Sequence, residues 1–277
     1  MFDFTVGSQY GSIFPDIHKM TYELLPHTLP VREWSRSSDT IIMPFVEMTP
    51  RLEQRQQAAI RLGDDDAFLA SEPPRTLFAF YSGSSTGPSG RLRARIIESM
   101  SVYNDTVPYY LSNRHSADKY DVISDMMMRS VFCPAPSGDS PSARRQITAV
   151  MAGCIPVIMS DFILHPFGGI VDWTRFSIQL PTRILAYENF IDRLRLVPQE
   201  RIREMQKALL AAARRFTYHF GAPKKGDVLD TLVERLALHA YKIRAMDNWM
   251  IFSNGTEFHE LKETGGKAIN FYPNNVV

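Results

Sequence analysis

Short apolar runs and amphipathic stretches alternate along this 277-residue chain. The most definite block is Val131 to Asp161. Val131, Phe132 and Cys133 end a short apolar run. Pro134 to Pro141, with three prolines and Gly138, excludes a helix interior. Ser140, Pro141 and Ser142 predict a helix start, with hydroxyls able to cap amides and a proline pre-set for a first turn. Ile147, Val150 and Met151 recur at helical spacing. Gly153 then stops the helix, and Ile155 to Met159 predicts a buried strand of the parallel-sheet kind. The pattern is a βαβ unit.

A second such unit precedes it. Leu77 to Phe80 predicts a buried strand, Ser82 to Gly90 is rich in glycine and serine, and Arg91 to Met100 predicts a helix with Leu92, Ile96 and Ile97 inward. A strand over Val107 to Leu111 and a helix over Ser116 to Arg129 lead into the central block. The tract Met126 to Met128 reads as core filler. Beyond Asp161 the pattern predicts a loop to Phe167, a strand over Ser177 to Leu180, and helices over 187–197, 198–213 and 228–246. Leu194, Ile202, Met205 and Leu209 face inward. Ser253 to Val277 has no periodicity and reads as a loose tail.

The N-terminal stretch is less regular. Strands are expected over Met1 to Val6 and Asp39 to Phe45, with a helix over Ile17 to Leu25 between them. A polar helix follows over Leu52 to Leu62. Asp64, Asp65 and Asp66 read as a solvated acidic turn rather than a metal site, because no calcium-loop spacing follows. Ser71 to Pro74 reads as a domain junction. The organisation expected is therefore a partial N-terminal α/β lobe over 1–70, a Rossmann-like domain over 75–250 and a flexible tail over 251–277.

Composition narrows the picture. With 44% apolar residues the chain can bury a sizeable core, and a formal net charge of +1 leaves no nucleic-acid footprint. Basic chemistry must be local. Cys133 and Cys154 both sit in apolar strand contexts, so buried thiols are favoured over a disulfide or a metal pair. No apolar run approaches the roughly 18 residues of a membrane span. Asn104-Asp105-Thr106 and Asn254-Gly255-Thr256 are glycosylation sequons, relevant only on a secretory route.

The candidate chemistry is anion binding. A polar loop that enters a helix at the carboxyl end of a strand points amides and a positive dipole end at its contents. Arg144 and Arg145, about one turn in, can fork onto phosphate oxygens. The Ser82 to Gly90 loop has no Gly-Lys-Ser/Thr and is not a Walker loop.

The wording of the central block resembles the exostosin family, the family 47 glycosyltransferases. Phe132-Cys133, Gly138-Asp139-Ser140-Pro141-Ser142, Arg145 and Gly153-Cys154-Ile155-Pro156-Val157-Ile158 stand in the family's order and spacing. Ser160-Asp161, Pro166-Phe167 and Gly169-Ile170-Val171-Asp172-Trp173 continue the match. The resemblance implies an α/β, GT-B-like fold: a Rossmann-type parallel sheet flanked by helices, with an incomplete N-terminal α/β lobe, the chain beginning within that lobe. It implies transfer of a sugar from a nucleotide sugar, a UDP-sugar, to a glycan or glycoprotein acceptor with inversion. It further implies no tightly bound cofactor, no metal, a family-type dimer and a place on the lumenal side of the Golgi membrane. The nucleotide-sugar-binding set it implies is Gly83, Arg93 (with Arg91 as runner-up), Ser137, Gly138, Asp139, Ser140, Ser142, Arg145 and Thr148. Two positions depart from the family pattern. Thr148 stands where an acidic residue suits the ribose hydroxyls, and Leu164 stands where the family has glutamate. His165 beside it reads as a loop histidine, with acid or base work as the alternative. No catalytic residue is assigned. The competing reading is a non-catalytic relative that keeps the nucleotide lobe as a binding or partner module.

Overall fold

Five parallel strands form the central sheet of the computed structural model. They are β3 (Leu77–Gly83), β4 (Thr106–Tyr110), β5 (Ser130–Pro136), β6 (Ile155–Met159) and β7 (Ile178–Gln179), in the order β4-β3-β5-β6-β7. The structure describes residues 19–21, 40–46, 49–87, 89–110, 118–138, 141–161, 163–219 and 224–253. The middle strands are buried on both faces, as all-parallel sheets require. Phe80, Phe132, Ala135, Val157 and Ile158 are all at most 1% exposed.

The crossovers are α3 (Gly90–Met100), α4 (Asp118–Met128) and α5 (Arg144–Met151). Right-handed connections place α3 on one face, with α6 (Phe190–Arg195) beside it. They place α4 and α5 on the other, where α5 packs on α7 (Gln199–Phe216). The inward set of α6 and α7 is as the periodicity predicts: Leu194, Ile202, Met205 and Leu209 are buried. On α3 the inward face is rotated. Arg93, Ile96 and Met100 are buried, whereas Leu92 and Ile97 are half-buried.

Two short helices, α1 (Pro50–Leu62) and α2 (Asp65–Ser71), lie against α4 and α7. Thr49 caps α1 and shares a hydrogen bond with Ser124 of α4. The three aspartates are not merely a solvated turn. Asp64 caps α2 by accepting from the amides of Asp66 and Ala67, while Asp65 and Asp66 pair with Arg214 and Lys207 of α7. Acidic residues at a helix N-terminus satisfy orphan amides and the dipole together.

Three expectations change. Lys19–Thr21 is not helical but a strand, β1, paired in parallel with β2 (Thr40–Ile42). A long-range partner here overrides a helical local pattern. The strand expected over Met1 to Val6 and the tail after Ser253 lie outside the described residues. Cys133 and Cys154 form a disulfide rather than free thiols, with both residues wholly buried. Phe132 stands opposite Ile155 in the β5–β6 ladder, so Cys133 lies one residue past that pair on β5 and Cys154 one residue before it, at the entry to β6. Their Cα atoms are 5.8 Å apart, inside the bridging range. Finally, α5 begins at Arg144 rather than at Ser140–Ser142.

The chain divides into two compact units, Met1–Leu232 and Val233–Val277. Helix α8 (Val228–Ser253) starts in the first, and its continuation is the described part of the second. No helix among the described residues is long and apolar enough to cross a membrane.

Candidate functional site

The strand order reverses between β3 and β5. In open parallel sheets, ligands bind outside the carboxyl ends of the strands at such a point. Here the crevice is flanked by the loop from Ser84 to Ser89, leading into α3, and by the loop from Ser137 to Ala143, leading into α5. A hydrogen bond between the Ser89 and Ser137 hydroxyls, 2.9 Å long, ties the two loops together. A Cβ on Gly90 would fall 2.4 Å from the Ser85 carbonyl oxygen, so only glycine lets the first loop fold back so closely.

Arg145 is the centre of this region. It occupies the first turn of α5, because Pro141 to Ala143 run on before the helix and Ala143 is the extended N-cap. The Ser160 hydroxyl donates to the Pro141 carbonyl and holds that run against the end of β6. Arg145 Nη1 donates to the Pro136 carbonyl at 3.1 Å. Its guanidinium lies over the Tyr81 ring, 5.2 Å from the centroid. The same guanidinium and the Tyr81 hydroxyl meet beneath Gly83. A Cβ there would lie 2.3 Å from the hydroxyl oxygen and 3.1 Å from Arg145 Nη2.

The polar accounting at this end of the sheet is incomplete. Tyr81 Oη, Ser82 Oγ, Arg145 Nε and Gln146 Nε2 are four of the six buried side-chain polar atoms without a partner among the described residues. Buried polar atoms are normally paired, so such a cluster marks a place where a ligand or water completes the set. Arg93 is close enough to depress the pKa of Arg145. Burial is the larger cause of that depression, and Tyr81 opposes it. Burial also raises the Tyr81 hydroxyl above its usual value, against the pull of both cations. Among the described residues neither Arg93 nor Arg145 has a carboxylate partner.

The residues expected from sequence are placed as follows. Gly83, Ser137 and Arg145 come together around the crevice. Arg93 is buried on α3 and spends its guanidinium on the Thr86 and Ser89 carbonyls, shaping its own loop. Ser142 is buried just before α5. Gly138 follows Ser137, and a side chain there would meet only ordinary contacts. Thr148, one turn into α5, donates its hydroxyl to the Arg144 carbonyl. Asp139 and Ser140 lie outside the described residues. Tyr81 was not singled out by sequence: it sits in an apolar run, and its hydroxyl gains significance only from the meeting with Arg145.

His165 lies in the loop after β6, stacked on Trp173 with ring centroids 4.6 Å apart. Its Nε2 is 2.5 Å from Gln179 Nε2, and its buried Nδ1 has no partner among the described residues. Burial lowers its pKa to about 4, so the ring is neutral at pH 7. Trp173 Nε1 donates to the Pro166 carbonyl, and the Phe167 amide donates to the Ile42 carbonyl, joining this loop to β2.

Comparisons with known proteins agree with this geometry. The chain is 24% identical over 172 residues to a probable glycosyltransferase of Arabidopsis thaliana, covering 62% of this chain and 34% of that protein. It is 28% identical to a probable glucuronosyltransferase of Oryza sativa subsp. japonica, covering 61% of this chain and 40% of that one. It is 27% identical to a probable beta-1,4-xylosyltransferase of Arabidopsis thaliana, covering 61% and 41%. The chain thus spans well under half the length of these curated relatives. A chain of the crystal structure of the GtfA/B complex aligns over 75% of this chain and 51% of its own length, at a TM-score of 0.38 and 10% identity, too weakly to support a shared fold. The family model for the Exostosin GT47 domain matches residues 26–191, which take in β2 to β7 and both loops of the crevice; the chain belongs to the exostosin GT47 family.

Proposed function

We propose that this chain supplies the nucleotide-sugar-binding half of a glycosyltransferase. In this reading the donor diphosphate settles between the carboxyl ends of β3 and β5. The observation that carries the proposal is a buried cation pair, Arg93 and Arg145, with no carboxylate partner among the described residues. A buried charge left unpaired is costly, and a diphosphate would supply the missing anion. Neither α3 nor α5 has a side-chain cap, so their first turns offer amides and dipole to the same anion.

The chemistry follows from placing the leaving group there. The bond from the sugar anomeric carbon to the diphosphate oxygen breaks, and a bond from the acceptor hydroxyl oxygen forms, with inversion. Negative charge grows on the diphosphate, and Arg145, the α5 amides and the Tyr81 hydroxyl are positioned to stabilise it. The acceptor proton goes to a base. The donor is a UDP-sugar, the acceptor a glycan or glycoprotein, and the setting the Golgi lumen.

The test is a titration with UDP. At a hundredfold excess over Kd, a ligand that binds only the folded state adds about 2.7 kcal/mol. For a unit of this size that is a rise in Tm of roughly 5–10 °C. Arg145→Ala is expected to remove most of the rise and Arg145→Lys part of it. An Arg145→Ala protein stabilised by UDP as much as the wild type would overturn the assignment.

A further inference from the structure

We propose that Asn104 is an N-glycosylation site, carrying a glycan at the amino end of the outermost strand, opposite the donor crevice. The inference rests on the lumenal setting given above. It is carried by the place of the sequon and by the redox state of the core.

Asn104 and Asp105 end the turn between α3 and β4, and Thr106 opens β4. The Asn104 side chain is exposed, whereas the other two sequon residues are bound into the fold. Thr106 is buried, and its hydroxyl donates to the Met100 and Tyr103 carbonyls. The Asp105 carboxylate accepts from Arg195 at 2.7 Å, and its carbonyl accepts from the Phe78 amide at 2.8 Å. Asn104 therefore stands on a turn fixed from both sides, with its own amide directed outward. Modification precedes folding of the turn, so the later burial of Thr106 does not prevent it. An exposed asparagine lets the folded protein keep the product.

The second observation is the Cys133–Cys154 disulfide. A wholly buried bridge between adjacent central strands belongs to an oxidising compartment, which is also where sequons are modified. The fold also gives the glycan a use. β4 is an edge strand, and an exposed edge invites pairing with other chains. Val102, two residues before the asparagine, is 68% exposed, and Leu196, next to Arg195, is 80% exposed. A glycan on Asn104 shields this edge. Parallel strands all carry the crevice at their carboxyl ends, so a glycan at the amino end of β4 leaves the crevice open.

The modification is a group transfer. Asn104 Nδ2 bonds to the anomeric carbon of a lipid-pyrophosphate-linked oligosaccharide. The bond from that carbon to the pyrophosphate oxygen breaks, the lipid pyrophosphate leaves, and one amide proton goes to the transferase's base.

The experiment is peptide mapping of the protein purified from its own cells. Peptide N-glycosidase in heavy-oxygen water marks each modified asparagine, and alkylation of the denatured, unreduced chain reads Cys133 and Cys154. The expected result is a marked Asn104 with both cysteines protected. Unmarked Asn104 with the disulfide formed would overturn the glycan while leaving the lumenal setting intact. Unmarked Asn104 with free thiols would overturn both. A chain sent through the secretory route as Asn104→Gln is expected to lose one glycan-sized mass step while keeping the full UDP-induced rise in Tm. Loss of no mass would count against the site, and modification at Asn254 alone would do the same.

Discussion

At the scale of single residues, Tyr81 and His165 make opposite demands. Tyr81 is wholly buried with its hydroxyl unpartnered, a condition that costs about 1–3 kcal/mol unless a ligand or water relieves it. Tyr81→Phe removes the cost without changing the ring under Arg145. The ligand-free Tm is therefore expected to stay level or rise, while UDP affinity falls by roughly tenfold, one hydrogen bond to a charged group. Calorimetric titration of both proteins checks this, and unchanged affinity would remove Tyr81 from the donor's contacts. His165 also has an unpartnered buried atom, Nδ1, but it lies in the loop after β6 and its consequence is a dependence on pH. Its pKa, lowered by burial to about 4, lies below the ordinary 6.5. The unfolded chain thus binds a proton between about 6.5 and 4 that the folded chain refuses, and stability falls as pH drops through that window. His165→Phe keeps the stack on Trp173. It should flatten the difference in Tm between pH 7 and pH 5, whereas an equal acid loss in both proteins would mean that other groups govern it.

At the scale of elements, the β5–α5–β6 unit was the most legible part of the chain. Its apolar runs, prolines and Gly153 act locally, and the structure follows them. What sequence did not show was settled by partners distant in the chain. The helix start moved to Arg144 because Pro141 is held by Ser160, nineteen residues on. Lys19–Thr21 became a strand because Thr40–Ile42 pairs with it. The disulfide depends on ladder register, which a separation of 21 residues does not reveal. That bridge closes a loop worth about 3 kcal/mol of unfolded-state entropy. Unfolding with a reductant present should therefore lower the midpoint by roughly 5–10 °C in a unit of this size. Identical midpoints with and without reductant would show that the bridge adds nothing to the core.

At the scale of the whole molecule, the two ends of the sheet hold two buried arginine pairs with different fates. At the amino end Arg55 and Arg75 gather beneath the C-terminus of α5. Arg55 forks onto Glu72 at 2.6 and 3.0 Å and donates to the Met151 carbonyl, while Arg75 donates to the Ser130 and Ala152 carbonyls. Cations at a helix C-terminus complement its dipole, and Glu72 supplies the counter-charge. Burial, with Arg55 alongside, lowers the pKa of Arg75 to about 10, and Glu72 opposes the fall. Gly153, with φ +67°, closes the helix here because a Cβ would strike both guanidinium groups. At the carboxyl end Arg93 and Arg145 have backbone carbonyls but no carboxylate among the described residues. A closed pair stabilises the fold, whereas the open pair is the one proposed above to take the donor's diphosphate. Arg55→Ala leaves the part-buried Glu72 carboxylate without its fork, although Gln56 still donates to the Met151 carbonyl, and should cost about 3 kcal/mol, or roughly 10 °C in Tm. UDP affinity should be untouched, because the cavity it leaves lies at the amino end of the sheet. Arg145→Ala should do the reverse, with little loss of ligand-free stability and most of the UDP response gone. Measuring Tm and UDP affinity on both proteins settles the matter as a double dissociation. If each substitution moved both quantities together, the sheet would not divide its labour between its two ends.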